Sequence, residues 1–256
     1  FTVLTPEMIR IQYSQKGLFE DRATFGVVNR NLPVPKFQTT EKDGWLEIRT
    51  SALTLRYRLG DAIDASQCSS KSLSVTLTLN GKHVLWYPGK DNAMNLKGTT
   101  RTLDGNMGDD KRTELEDGVV SRAGWAVIDE SPLAKRGDGS TTFAFDKKGG
   151  GVDWWAEPVD KEAVDWYFMG YGHQYRKAVS DYAKIGGHMN MPPLYTLGYW
   201  YSKYQKYTQQ EFMDIVNEIK SHDIPLDVMI FDMDWHDRDW TGWTWDKTVI
   251  PEPEKL

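Results

Sequence analysis

The sequence predicts an antiparallel β-sandwich followed by the beginning of a parallel α/β fold. Short alternating strands separated by turns occupy the first 150 or so residues, and an amphipathic helix follows near residue 175. A strand–helix–strand segment then lies close to the carboxyl end. The 256 residues are 39% hydrophobic and 27% charged, with a net charge of −6, which is typical of a globular chain.

Composition excludes several classes of protein. No run approaches the ~18 consecutive apolar residues of a membrane span. The negative net charge and the absence of a Lys/Arg block argue against a nucleic-acid surface. A single cysteine, Cys68, excludes an internal disulfide framework and a multi-cysteine zinc site.

The amino-terminal part alternates at the strand period. Trp45–Arg58 has the apolar residues Trp45, Leu46 and Ile48 and then Leu53, Leu55 and Tyr57 at a spacing of two, which suits strands with one face buried. The segment Ser72–Tyr87 has two apolar runs joined by Asn80-Gly81, a pair typical of a tight hairpin turn. Further strands are predicted over Gly124–Asp129 and Thr141–Phe145. Many short strands with few helices favour a sandwich.

The pattern changes after residue 172. Apolar residues at helical spacing predict a helix from Tyr175 that Gly186-Gly187 ends, and Thr208 with Glu211 forms a capping box for a second helix. The almost wholly apolar Leu226–Phe231 is typical of a parallel strand covered on both faces.

One strand–helix–strand unit cannot form a domain by itself, because its strand edges stay unpaired. A closed parallel barrel needs eight such units and ~200 residues. We therefore expect a sandwich domain over 1–190 and a truncated parallel domain over 191–256, together forming the amino-terminal portion of a longer protein.

Polar residues follow the predicted buried strand directly. Asp232, Asp234 and His236 come where ligands bind in parallel α/β folds, at the carboxyl ends of strands. Ionised carboxylates accept hydrogen bonds and so suit the paired hydroxyls of a sugar. A metal site and a solvated loop are the alternatives. An EF-hand loop counted from Asp232 fails, since it would need Gly at 237 and Glu at 243.

Tryptophan is concentrated in the next segment. Trp240, Trp243 and Trp245 follow within a few residues. Aromatic faces stack on the C–H faces of pyranose rings, so aromatic residues beside carboxylates are typical of a carbohydrate subsite. The alternative is that these side chains only pack the loop.

Several motifs in order resemble glycoside hydrolase family 31, the α-glucosidase and α-xylosidase family. The resemblance is densest over 164–251, where Val164–Gly170, Pro192–Trp200, Ile224–Val228 and Asp232–Trp235 match family motifs, and Thr244-Trp245-Asp246 precedes Ile250-Pro251. Thr5–Arg10 resembles the opening of the family's sandwich. The resemblance implies a galactose-mutarotase-like β-sandwich followed by the start of a (β/α)8 TIM barrel.

The resemblance also implies chemistry. Family members are retaining exo-glycosidases that act without metal or organic cofactor on α-linked oligosaccharides. Their two catalytic aspartates lie beyond strand two, so we expect no catalytic residue in this chain and both carboxylates downstream of Leu256. Asp232 corresponds to the aspartate that holds the −1 sugar, with Met233 beside it.

The substrate-binding set predicted from residues and resemblance together is Asp232, Met233, Asp234, His236 and Asp104. Asp104 lies in the stretch corresponding to a sandwich loop that reaches subsite +1. His236 departs from the commoner family pattern, which leaves α-glucosides, α-xylosides and α-galactosides open as substrates. The rival hypothesis from another class is a non-catalytic carbohydrate-binding module.

Overall fold

The computed structural model describes residues 1–24, 26–64, 66, 68–98, 115–132, 144–148, 152–238 and 241–256. These residues form two compact units, Phe1–Met189 and Asn190–Leu256. Among the described residues, no helix combines the length and apolarity needed to cross a bilayer.

The first unit contains eleven described strands and one helix. They are β1 (Thr2–Thr5), β2 (Met8–Tyr13), β3 (Gln38–Lys42), β4 (Trp45–Arg49), β5 (Leu53–Arg58), β6 (Leu73–Leu79), β7 (Lys82–Trp86), β8 (Ala126–Asp129), β9 (Ala144–Lys148), β10 (Val152–Ala156), β11 (Val164–Met169) and α1 (Tyr175–Gly186). Strands β3 to β7 form one antiparallel sheet in chain order, and a second sheet has the order β1-β2-β11-β8. Strands β9 and β10 form a separate pair.

Local sequence patterns account for much of this unit. Asn80 and Gly81 have φ angles of 51° and 75° and join β6 to β7, which confirms the predicted hairpin. Helix α1 ends at Gly186, as predicted, and Gly187 follows with a φ of 95°. The strand predicted over Thr141–Phe145 overlaps β9 at Ala144 and Phe145, and β9 continues to Lys148; residues 141–143 lie outside the described part.

The hydrophobic core lies between the two larger sheets. Ile9, Ile11 and Phe168 of one sheet are fully buried in the same cluster as Leu55 and Val75 of the other. Burying each such side chain stabilises the fold by about 1.5–3 kcal/mol. The alternate residues of β2 and β11 face the other way and pack against α1, so the four-stranded sheet is covered on both faces.

A buried ion pair joins β2 to β11. The guanidinium of Arg10 donates from Nε and Nη2 to the two carboxylate oxygens of Asp165 at 2.8 and 2.6 Å, and both side chains are almost completely buried. Two of the motifs described above, Thr5–Arg10 and Val164–Gly170, therefore meet in adjacent strands. A paired fork of this kind fixes the orientation of both side chains.

The second unit contains two short parallel strands, one α-helix and a hairpin. Its elements are a 3₁₀ turn (Leu194–Leu197), β12 (Trp200–Tyr201), α2 (Gln209–Ser221), β13 (Val228–Met229), β14 (His236–Arg238), β15 (Thr241–Trp245) and a second 3₁₀ turn (Pro253–Lys255). The strand predicted over Leu226–Phe231 is shorter than expected and only half-buried. Among the described strands it has one neighbour, β12, so half of its backbone groups have no ladder partner there.

Candidate functional site

Strands β12 and β13 lie side by side and run parallel. Trp200 is paired with Val228 and Tyr201 with Met229, and the Ile230 amide continues the ladder by donating to the Tyr201 carbonyl at 3.0 Å. The connection runs through α2, which confirms the predicted parallel strand–helix–strand unit. The carboxyl ends of both strands therefore meet at one edge.

Gly198 and Asp227 hold the opposite ends of these strands together. The Asp227 carboxylate accepts from the Tyr199 amide at 3.0 Å, and the Asp227 amide donates to the Tyr199 carbonyl at the same distance. A Cβ at Gly198 would lie 2.1 Å from Asp227 Oδ2. A side chain at this position would therefore force the Asp227 carboxylate to move.

Helix α2 begins with the predicted capping box. The Thr208 amide donates to Glu211 Oε2 at 2.8 Å, and the Glu211 amide donates to Thr208 Oγ1 at 3.3 Å. Hydrogen bonds from the Thr208 amide and hydroxyl to the Glu211 carboxylate lower the pKa of Glu211. The cap aligns the helix so that Phe212 stacks on Phe231, with ring centroids 3.7 Å apart and an interplanar angle of 12°.

Asp232 follows Phe231, the residue whose ring stacks on Phe212 of α2. Asp232 is partly buried, and its Oδ2 atom is inaccessible to solvent without a hydrogen-bond partner among the described residues. A buried carboxylate oxygen without a partner costs free energy on the order of 1–3 kcal/mol. Asp232 thus has an acceptor oxygen that no described group of the protein satisfies.

Asp234 is in a different environment. Its carboxylate forms an ion pair with the ammonium group of Lys206, which follows β12. The backbone of Asp234 has a φ of 54°, a left-handed conformation that aspartate tolerates better than most residues. The preceding residue, Met233, forms a parallel bridge with Lys206, so the ion pair and this bridge join the two strand ends.

His236 is the first residue of the hairpin that follows. Its ring stacks on Trp235 at 3.6 Å with an interplanar angle of 28°, and its Nδ1 atom is buried without a partner in the described part of the chain. The Asp246 amide donates to the Trp235 carbonyl at 2.8 Å and closes the base of the hairpin. Asp246 in turn accepts from the side chain and amide of Thr248, which lowers the pKa of its carboxyl group.

The side chains of this region line one open cleft within the second unit. Its lining residues are Lys206, Tyr207, Thr208, Glu211, Asp234, His236, Asp237, Asp246 and Val249. Two of the predicted binding residues, Asp234 and His236, therefore lie on one surface, whereas Asp232 and Met233 do not line this cleft. Asp104 lies outside the described residues.

Tyr207 adds a further polar group beside the cleft. Its side chain is 3% exposed, and its hydroxyl has no hydrogen-bond partner among the residues that the structure describes. Burial, followed by the neighbouring Tyr201, raises the pKa of the phenol. The Tyr207 phenol therefore ionises at a higher pH than an exposed tyrosine does.

No group of three or more His, Cys, Asp or Glu side chains is placed to hold a metal ion in the described ranges. The carboxylates are instead engaged separately, Glu211 with Thr208, Asp234 with Lys206 and Asp246 with Thr248. The arrangement is suited to accepting and donating hydrogen bonds at a strand end.

Sequence reasoning did not find Lys206 as a partner of Asp234, because the two residues come together only through the parallel pairing of their strands. It also did not distinguish among the tryptophans. Trp243 is 89% exposed, whereas Trp235 and Trp245 are partly buried with ring centroids 4.9 Å apart. The alternation of β15 alone could not make this distinction, since Trp243 and Trp245 share a face.

Comparison with known proteins bears on the same region. The family model described as "Glycosyl hydrolases family 31 TIM-barrel domain" matches residues 189–256. An α-xylosidase of Saccharolobus solfataricus is 31% identical over 103 residues, and α-glucosidase 2 of Bacillus thermoamyloliquefaciens is 29% identical over 116 residues. Over these residues the chain resembles glycoside hydrolase family 31. The resemblance stated from the motifs is therefore confirmed.

These matches cover 40% and 45% of this chain, and 14% of each relative. A solved GH31 α-xylosidase from a soil metagenome, complexed with xylose, superposes with a TM-score of 0.60 and 17% identity. That match covers 97% of this chain and 41% of the solved chain. At this identity the superposition reports similarity of fold, and the sheet-rich structure fits the amino-terminal region of family 31 proteins.

Proposed function

We propose that this chain is the amino-terminal part of a retaining α-glycosidase that removes terminal α-linked sugars from oligosaccharides. Residues 1–190 would form a galactose-mutarotase-like β-sandwich, and residues 191–256 would form the first strand, helix and strand of a catalytic (β/α)8 barrel. The parallel pairing of β12 with β13 and the family match over 189–256 support this architecture.

The observation that carries the proposal is the carboxylate of Asp232. It lies three residues beyond the end of the parallel strand β13, and its buried Oδ2 atom has no partner among the described residues. A hydroxyl of the terminal sugar would supply the missing donor, because an ionised carboxylate only accepts hydrogen bonds. The xylose bound in the solved α-xylosidase is a ligand of the same class.

Asp234, His236, Met233 and Asp104 complete the proposed binding set. The Lys206 ion pair holds Asp234 at the strand end, and His236 lines the same cleft. Met233 adjoins Asp232 in the chain, and Asp104 is assigned by family resemblance. These residues would orient the sugar ring for attack, which contributes to rate by positioning the reacting atoms.

Bond cleavage requires two further carboxyl groups. Retaining hydrolysis uses an ionised carboxylate that attacks the anomeric carbon and a protonated one that releases the leaving oxygen, about 5 Å apart. We assign both to the part of the protein beyond Leu256. The α-xylosidase and α-glucosidase relatives make an α-xyloside or α-glucoside the first substrates to test, with an α-galactoside as the third.

The test uses the complete open reading frame that contains this chain. Purified protein is assayed with aryl α-xyloside, α-glucoside and α-galactoside, and the first sugar anomer released is followed by NMR. We expect hydrolysis of at least one substrate with release of the α-anomer, and no turnover by residues 1–256 alone. Release of the β-anomer, or binding of these sugars without any hydrolysis, would contradict the proposal; the second result favours a binding module.

A further inference from the structure

A second cavity lies in the first unit, at the side where its two larger sheets end. Among the described strands, β7 is the last of the five-stranded sheet and β8 is the last of the four-stranded sheet. Residues at both strands line an open cavity of about 630 Å³, a volume within the range of small-molecule sites. It shares no described lining residue with the cleft of the second unit.

Three tryptophans form the floor of this cavity. Trp86 ends β7, Trp125 directly precedes β8 and Trp166 lies in β11. The Trp86 ring packs against both others, with centroids 6.5 Å from Trp125 and 6.3 Å from Trp166, which fixes the orientation of each indole. Each of the three residues is at most 5% exposed. A ligand in the cavity therefore meets the edges of these rings and not their stacking faces.

The indole N–H groups of this floor are hydrogen-bond donors without a partner in the described part of the chain. Side-chain nitrogen and oxygen atoms that are both unpaired and inaccessible to solvent occur, among the described residues, only in Tyr207, Asp232 and His236. The three N–H groups therefore keep contact with solvent. Because all three tryptophans line the cavity, that contact lies there, where a ligand can accept the hydrogen bonds.

The rim of the cavity carries acceptors. Asp91 and Asp129 are exposed and line it, and the Asp91 carboxylate has no partner among the described residues. One oxygen of Asp129, Oδ1, accepts from the Ser131 amide at 2.9 Å, which leaves Oδ2 open. The Asn92 side chain donates to the Trp125 carbonyl at 2.8 Å and so ties the rim to the floor.

Donors on the floor and acceptors at the rim together define the ligand. An anion would be repelled by Asp91 and Asp129, and a cation cannot accept from the indole N–H groups, whereas a hydroxyl both donates and accepts. We propose that this cavity binds a neutral sugar, as a second carbohydrate site in the sandwich. Such a site holds an oligosaccharide on the protein and raises its effective concentration there. The inference does not depend on the proposed hydrolysis.

The test is an NMR titration of the full-length protein carrying ¹⁵N at its tryptophan indoles. The probes are glucose, xylose and galactose, which a glycosidase cannot hydrolyse. Single Trp→Phe variants assign the indole resonances of Trp86, Trp125 and Trp166, since each removes one N–H and keeps an aromatic ring. At least one sugar should shift these three resonances in a saturable way.

Asp91→Ala should raise the Kd read from these shifts about 2- to 12-fold, because it removes one acceptor from the rim. Asp91 is exposed, so this variant leaves the core intact. The matched control is Asp214→Ala, which removes an exposed carboxylate from α2 and should leave the Kd unchanged. An unchanged Kd for Asp91→Ala, or no shift of the three resonances with any of the sugars, would overturn the inference.

Asp232→Ala separates this site from the proposed substrate site. The shifts of the three indole resonances should remain in that variant, because Asp232 does not line the cavity. Loss of the shifts would assign them to the substrate site and overturn the inference, while the α-glycosidase proposal stands. A protein that hydrolyses no α-glycoside, yet shows shifts that depend on Asp91, supports the second sugar site and contradicts only the proposed function.

Discussion

The ammonium group of Lys206 forms an ion pair with Asp234 across the ends of two adjacent parallel strands, while Oδ2 of the nearby Asp232 has no partner in the described part of the chain. Two aspartates separated by one residue thus have different environments. The ion pair holds the Asp234 carboxylate at the strand end. The unpaired oxygen of Asp232 can accept a hydrogen bond from a ligand.

The first prediction concerns the ion pair between Lys206 and Asp234. Lys206→Met and Asp234→Asn should each lower kcat/KM of the full-length enzyme several-fold, because either change removes the contact that orients the strand end. Stability should change by less than ~1 kcal/mol, since the lysine side chain is 73% exposed and such pairs contribute little. Asn is chosen because it tolerates the positive φ at this position.

The double variant provides the check. If the two residues act as a pair, Lys206→Met/Asp234→Asn should be no less active than the worse single variant. Multiplicative losses in the double variant would mean that the two side chains act independently.

A second prediction concerns Gly198. Gly198→Ala should destabilise the protein by about 1–3 kcal/mol in urea unfolding, because its Cβ would lie 2.1 Å from Asp227 Oδ2 and displace that carboxylate from the Tyr199 amide. Adding Asp227→Ala removes the clash, so the double variant should lose less than the sum of the single losses. Gly98→Ala, whose Cβ would have an ordinary 3.6 Å contact, serves as the control. Additive losses would refute the contact.

A third prediction concerns pH. Asp181 is buried and accepts hydrogen bonds from Lys177, Lys184 and the Tyr171 hydroxyl. Burial raises the pKa of this carboxyl group, but the hydrogen bonds outweigh it and the net shift is downward. A carboxyl pKa that is lower in the folded state stabilises the fold above the unfolded value of about 3.9, and this contribution is lost as pH falls through the folded pKa.

The measurement is urea unfolding of wild type and Asp181→Asn at pH 7, 5 and 3. The stability difference between the two proteins should be largest at pH 7 and 5 and should shrink at pH 3. Asp214→Asn, on the exposed side of α2, is the control and should show little difference at any pH. A difference for Asp181→Asn that grows as the pH falls would contradict the assignment.

The turns and helix caps that could be predicted from the sequence are those formed by residues close together in the chain. The turn at Asn80-Gly81 and the capping box of Thr208 and Glu211 form as predicted, because each depends on residues within a few positions of one another. The parallel pairing of the last two predicted strands followed from the helix between them.

Contacts between distant segments could not be predicted in the same way. Arg10 and Asp165 are 155 residues apart, and neither motif indicates the other as its partner. The reason for glycine at 198 likewise appears only once Asp227 lies against it. The assignments of Asp232, Met233, Asp234, His236 and Asp104 to the sugar site came from residue chemistry and family resemblance, and they remain predictions.

The most direct test of the central claim is the kinetics of Asp232→Ala in the full-length protein, with Asp214→Ala as the control. If Asp232 holds the terminal sugar through one or two charge-assisted hydrogen bonds, kcat/KM should fall at least about 10- to 100-fold while the urea midpoint stays near that of wild type. Near-normal kinetics for Asp232→Ala would contradict the claim that this carboxylate binds the sugar.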